Sequence, residues 1–223
     1  MRVLFSALLC ISFLVPAALS QTQSALESDP KGWTNLLADV GMKDWIRTPL
    51  NAAGKLRAGT MSDPSPWKLN GEILSCAGDK VGHEFLRYAP EMADFVVHAE
   101  WRHVKTAEVT NYNGGLYVRT AADESIWHQA QTTPGGGYLF GMTLVNGTPA
   151  RVNFREKPWE NRVKPDGEWN IIEIRAVGKQ ITLWVNGATV TEWNQCEVPK
   201  GYLAIEAEGH AMEWRNVQLK VLP

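Results

Sequence analysis

From Trp67 onward the chain changes from polar, turn-rich sequence to short runs in which apolar and polar residues alternate. A period of two is the signature of half-buried β-strands. Residues 71–76, 94–104, 115–120, 125–131, 137–145, 168–177, 180–186, 188–194, 201–208 and 211–221 read as strands rich in Val, Ile, Trp and Tyr, with Gly, Asn or Pro between them. So many strands with hardly a helix predict an all-β, antiparallel sandwich. Asn186-Gly187 predicts a two-residue hairpin, because both residues tolerate positive φ, and Gly178-Lys179 predicts the turn before it. Upstream, residues 21–31 are polar and predict a flexible lead. Residues 32–66 predict a little helical or irregular structure, around Trp33 to Leu37 and Trp45-Ile46, with turn signals such as Asp63-Pro64-Ser65-Pro66. No repeat or linker divides the rest, so residues 32–223 predict one domain.

The N-terminus has a different pattern. Met1-Arg2 precedes an apolar run from Val3 to Val15, broken by Pro16, and Ala18-Leu19-Ser20 sets small residues before a cut at Gln21. This predicts a secretory signal over residues 1–20 and a secreted or periplasmic protein. No later stretch is apolar for long enough to predict a membrane span. Cys10 follows Leu9, a poor context for lipid attachment. Beyond the signal remain Cys76 and Cys196, which in an oxidising compartment form either one disulfide or two separate buried thiols.

Composition narrows the partners. With 22 Lys+Arg against 24 Asp+Glu, the formal charge of −2 gives no electrostatic reason to expect nucleic acid or an anionic membrane. The 44% hydrophobic content excludes disorder. Ten Trp against six Phe and five Tyr suits either a sandwich core or a sugar-stacking surface.

Alternation also sorts the polar candidates by face. Phe95, Val97, Ala99 and Trp101 share one face, which leaves His98, Glu100 and Arg102 on the other. Tyr117 and Arg119 share a face opposite Leu116 and Val118, and Glu206 and Glu208 share another, about 7 Å apart. Such polar faces are either solvated or functional. Two like carboxylates at that spacing can raise one pKa, bind a cation, or sit in water. Residues from Arg151 to Lys164 read as a basic rim loop, and Trp159 within it can stack on a pyranose, whereas Trp169, Trp184 and Trp214 lie in strand patterns that suit a core. The string Glu-x-Asp-x-x-Glu, which an ordinary retaining β-glucanase of this kind would carry, is absent from the sequence.

Seven stretches can be read together: Trp67 to Leu74, Asp94 to Arg102, Asn113 to Arg119, Lys164 to Asn170, Leu183 to Gly187, Gly201 to Ile205 and Trp214 to Val217. In this order they resemble the 3-keto-disaccharide hydrolase domain family, related to family 16 glycoside hydrolases, over nearly all of the chain past its signal. The resemblance implies a concanavalin A-like jelly roll whose concave sheet carries the sugar site, and action on sugars already oxidised at C3. Where that family often has an aromatic followed by Glu-x-Gln, this chain has Trp127-His128-Gln129-Ala130-Gln131. Either His128 takes the Glu place, or a shift by one aligns Gln129 and Gln131. Glu206 and Glu208 stand where many relatives have Gln and His.

On that resemblance, a ketone at C3 acidifies the C2 hydrogen, and its removal expels the C1 oxygen by β-elimination, with hydration to follow. The chemistry needs a base, an oxyanion stabiliser and a proton donor. His128 is expected as base or acid, Glu100 or the Glu206/Glu208 pair as its complement, and Arg119 as the electrostatic stabiliser. His98, Arg102, Tyr117, Gln129, Gln131, Trp159 and Lys164 are expected to hold the sugar. No cofactor is required, although a divalent cation at the Glu pair could replace Arg119. The competing expectation is a carbohydrate-binding module on the same jelly roll, without chemistry.

Overall fold

A computed structural model describes residues 22–49, 61–78, 83–107, 112–155 and 161–223. Among them lie one short helix, α1 (Ala25–Ser28), and fifteen strands. The first five strands are β1 (Thr34–Asn35), β2 (Trp45–Pro49), β3 (Trp67–Asn70), β4 (Ile73–Cys76) and β5 (His83–Tyr88). The middle five are β6 (Phe95–His103), β7 (Gly115–Thr120), β8 (Trp127–Gln131), β9 (Leu139–Val145) and β10 (Thr148–Asn153). The last five are β11 (Asn170–Val177), β12 (Gln180–Val185), β13 (Ala188–Trp193), β14 (Tyr202–Glu208) and β15 (Met212–Val221). They form two antiparallel sheets. Sheet A runs β13-β12-β11-β6-β15-β4-β3, with β1 added on β15, and sheet B runs β10-β9-β8-β7-β14-β5-β2. The inner faces pack into a sandwich, so the fold is the all-β jelly roll that the alternating pattern predicts. Among the described residues, no helix is long and apolar enough to cross a membrane.

Period-two alternation decides which residues reach the core. Phe95, Val97, Ala99 and Trp101 point inward from β6, as do Leu116 and Val118 from β7 and Leu203 and Ile205 from β14. Trp101 and Trp214 are opposite one another in the β6–β15 register and fully buried. Asn186 and Gly187 take φ of 44° and 96°, which closes the β12–β13 hairpin as the sequence predicts, and Gly178 turns β11 into β12 at φ 52°.

All ten strands anticipated from the pattern are present within two residues of their expected ends. Five strands, β1, β2, β3, β5 and β10, have no expected counterpart. Residues around Trp33 and Trp45 are not helical or irregular: β1 pairs with β15 and β2 pairs with β5, because each lies beside a strand with unpaired backbone groups. β5 has no expected counterpart, and it pairs with both β2 and β14. The expected basic loop begins later than Arg151, since β10 extends to Asn153 on the edge of sheet B. The expected flexible lead is docked from Thr22 on. Thr22 N donates to Gly187 O at 2.8 Å, and the Glu173 carboxylate accepts from Ala25 N at 2.6 Å and Leu26 N at 3.0 Å.

The cysteines also resolve one way. Cys76 and Cys196 are separate, buried thiols, so no disulfide joins them. Burial pushes the Cys76 thiol up to about 12, with the nearby Glu84 charge acting in the same direction. Of the tryptophans assigned to the core, Trp214 is there, whereas Trp169 and Trp184 are half-buried. Trp184 alternates with the inward Leu183 and Val185, and its indole N–H reaches Thr22 Oγ1 at 2.9 Å.

Candidate functional site

The outer face of sheet B gathers aromatic and polar side chains in one patch. Phe85 from β5, Tyr117 from β7, Trp127 from β8 and Ala204 from β14 form a second apolar cluster outside the main core, with Phe140 and Met142 from β9 packed against it. The same alternation that sends His128 and Ala130 inward sends Trp127, Gln129 and Gln131 outward, and it puts Glu206 and Glu208 on this face from β14. Of the two alignments, this placement puts Gln129 and Gln131 on the outer face and His128 inside.

Hydrogen bonds join these side chains into one directed chain. The Tyr117 hydroxyl donates to Gln129 Oε1 at 2.6 Å. Gln129 Nε2 then donates to Gln131 Oε1 at 2.7 Å, and Gln131 Nε2 to Asn113 Oδ1 at 2.8 Å. Asn113 Nδ2 completes the run by donating to Glu208 Oε2. A branch leaves Gln129, whose Nε2 also donates to Glu206 Oε2 at 2.9 Å. Gly115 makes that branch sterically feasible, since a Cβ there would stand 2.3 Å from Gln129 Nε2. Burial, then the Glu206 carboxylate through its charge and a hydrogen bond, and then Glu208 and Glu124 hold the Tyr117 hydroxyl well above the ordinary tyrosine range. It therefore remains a donor at neutral pH.

Other expected residues lie elsewhere. His128 is fully buried in the interior, with Nδ1 3.3 Å from Val118 O and its ring 5.6 Å from that of Trp193. Desolvation pushes its pKa down to about 4. An imidazole there neither reaches the outer face of sheet B nor gains a proton at neutral pH, in contrast to the base or acid expected at His128. Arg119 does not share the face of Tyr117. Tyr202 pairs with Thr120 but Ala204 pairs with Tyr117, so β7 bulges, and Arg119 at φ 47° turns inward. Its guanidinium donates to Gly178 O at 2.7 Å, Val198 O at 2.9 Å and Ala93 O at 3.0 Å, tying three connections together. Gly201 lets the bulge pass, because a Cβ there would lie 2.4 Å from the Arg119 carbonyl carbon.

The polar residues of β6 face outward as expected, but from sheet A. Glu100 is paired with Arg215 at 2.7 Å on sheet A, apart from the Glu206/Glu208 pair on sheet B. His98 Nδ1 meets Glu173 Oε1 at 2.8 Å, and Arg102 meets Glu213 at 2.6 Å while lying 4.7 Å over the Trp169 ring. Lys164 Nζ donates to Trp169 O at 3.1 Å, also away from the sheet B patch. These four are structural partners of sheet A and its flank. Trp159 lies outside the described residues.

Two contributors escaped the sequence reading. Asn113 sits just before β7 within a recognised motif, and only the fold shows that it bridges Gln131 to Glu208. Glu124 takes φ 59° in the β7–β8 connection and accepts from Thr48 Oγ1 at 3.0 Å. A cation at the Glu pair fits this donor set poorly: the amide N–H groups of Gln129 and Asn113 are aimed at the carboxylates, and among the described residues no three His, Cys, Asp or Glu side chains converge. No step below runs through a metal.

The fold, with the comparisons that follow, indicates a glycosyl hydrolase-like or carbohydrate-binding jelly-roll protein. The sequence model for the "3-keto-alpha-glucoside-1,2-lyase-like domain" matches residues 27–220. The chain belongs to that family. Solved structures share its fold. A candidate glycosyl hydrolase from Parabacteroides distasonis is 14% identical with a TM-score of 0.57, over 85% of this chain and 99% of that one. A carbohydrate-binding module of family 66 from Bacillus subtilis is 12% identical with a TM-score of 0.51, over 78% and 94%. The kappa-carrageenase of Pseudoalteromonas carrageenovora, in complex with an oligosaccharide of kappa-carrageenan, is 10% identical with a TM-score of 0.54, over 93% and 98%. No curated protein matches the chain.

Proposed function

We propose that the protein cleaves the glycosidic bond of 3-keto-glycosides, 3-keto-disaccharides among them, by C2 deprotonation, with Glu206 and Glu208 as the proton-transfer groups. We further propose that it works outside the cytoplasm once residues 1–20 are removed. The observation that carries the reading is the convergence of both carboxylates with Tyr117, Gln129 and Gln131 on one outer face. Membership of the lyase-like family supports the same chemistry.

In this mechanism one carboxylate takes the proton from C2, which the C3 ketone has acidified. The C2–H electron pair passes into the enolate and then forms the C1–C2 double bond as the C1–O bond breaks. The other carboxyl group, protonated, gives its proton to the departing oxygen. Addition of water across the new double bond completes a net hydrolysis. Among the cluster's aromatics, the half-buried Phe140 offers the accessible apolar surface for the ring.

A second reading, a binding module without chemistry, is favoured by the inward placement of His128, which leaves the expected imidazole base out of the patch. Incubating the purified protein with a 3-keto-glucoside and with its unoxidised parent separates the two. Release of the aglycone from the keto sugar alone supports the enzyme. Saturable binding of unmodified oligosaccharide without product supports the module.

A further inference from the structure

The run from Tyr117 to Glu208 has a property that neither carboxylate position suggests: every hydrogen bond in it points the same way. Tyr117 O–H, Gln129 Nε2, Gln131 Nε2 and Asn113 Nδ2 each donate toward the next residue, and each amide oxygen accepts from the one before. In such a homodromic chain each bond polarises its successor, so the last N–H is a stronger donor than an isolated amide. The terminus receiving it is the Glu208 carboxylate. Gly114 N, at 3.0 Å from Asn113 Oδ1, donates in the same sense and keeps the Asn113 amide from flipping. Gln129, 3% exposed, is further pinned by its contact to Glu206.

We infer that Glu208 is the base of the pair, and that Tyr117, Gln129, Gln131 and Asn113 are positioning residues that hold it ionised and oriented through the directed chain. This rests on the proposed function for the word base, but the electrostatic relay stands apart from turnover. The titratable groups around the Tyr117–Glu208 run are Glu206 on the same strand as Glu208, Glu124 in the β7–β8 connection, and His210 just beyond β14. A donor chain ending on the Glu208 carboxylate favours its charged form over its protonated one.

The test is a cycle of Tyr117→Phe, Asn113→Ala and the double variant, read two ways. Carbon-detected NMR titration of the Glu208 carboxyl group needs no substrate. It should show the midpoint moving to higher pH in both single variants, and Tyr117→Phe should have no further effect once Asn113 is replaced, because the chain is already cut. In turnover of a 3-keto-glucoside, Tyr117→Phe should lower kcat/KM about tenfold at pH 5.5 and less than about twofold at pH 8.5. An unchanged Glu208 titration in Tyr117→Phe, or equal effects of that change with and without Asn113, overturns the relay. Equal losses at both pH values overturn it too. A relay seen by NMR in a protein without turnover would overturn the assignment of Glu208 as base and the proposed function, and leave the relay standing.

Discussion

Gln129 on β8 reaches across β7 to place its Nε2 2.9 Å from Glu206 Oε2, and it does so through the space where Gly115 has no side chain. The amide-bearing strand and the carboxylate-bearing strand are thereby joined. Gly115→Ala puts a methyl group into that passage, displaces Gln129 and cuts both the branch and the chain. Turnover of a 3-keto-glucoside should fall at least about tenfold in this variant, since misplacing a catalytic group by about 1 Å has effects of that size or larger. Steady-state kinetics with a parallel melting curve checks it. Activity within twofold of wild type would mean that the Gln129 contacts do not matter to the site.

Glu206→Gln and Glu208→Gln each remove one proton-transfer group while keeping shape. Each should lower kcat by about 10²-fold or more, the usual worth of a positioned general acid or base. Turnover within threefold of wild type in both variants contradicts the assignment, provided circular dichroism shows them folded.

His128 and His103 should make the fold sensitive to acid. Desolvation is the leading cause at each and holds both near about 4, below the 6.5 of an unfolded histidine. Because the folded pKa is depressed, the unfolded chain binds more protons between those values. Stability is therefore fully present above pH 6.5 and is lost as pH falls toward 4, on the order of 2–3 kcal/mol for each histidine. Urea melts at pH 7.5, 6, 5 and 4.5 should show the decline, and His128→Asn should flatten it. A pH-independent midpoint over that range would contradict the buried neutral state.

Arg119 acts on stability rather than on catalysis. Its guanidinium holds three backbone carbonyls in the interior, so Arg119→Ala should cost about 3 kcal/mol or more in chemical denaturation. A loss under 1 kcal/mol would show that water replaces those bonds. Similarly, Cys76 and Cys196 should both alkylate in unfolded, unreduced protein, adding two labels by mass spectrometry; no label at either would reinstate a disulfide.

The fold was legible in the sequence because alternation sets the face of each residue wherever a strand is regular. Ten strands and the Asn186-Gly187 hairpin follow from it. Trp127, Gln129 and Gln131 share an outer face by the same rule, and so do Glu206 and Glu208. What defeated the reading was irregularity and long-range pairing. At Arg119 a bulge inverts the side chain, and a bulge depends on the partner strand rather than on local sequence. His128 was assigned by its chemistry rather than by its parity with the core residue Ala130, and parity was the better guide. Glu100 is expected in one site with the Glu206/Glu208 pair, yet β6 and β14 belong to different sheets, and nothing in a single sequence says which sheet a strand joins. β2 and β5 are not legible because long-range pairing, of β5 with β14 and of β2 with β5, makes them strands rather than local composition.

The central claim is proton removal from C2 by the Glu206/Glu208 face, and hydrogen exchange tests it most directly. A 3-keto-glucoside would be incubated in D2O with wild-type protein and with the Glu206→Gln/Glu208→Gln double variant, and proton NMR would follow the C2 and C1 signals. The account predicts deuterium at C2 and loss of the glycosidic C1 signal with wild type only, and neither with the unoxidised parent sugar. Loss of the C1 signal from the parent sugar, or C2 exchange by the double variant at the wild-type rate, would contradict it.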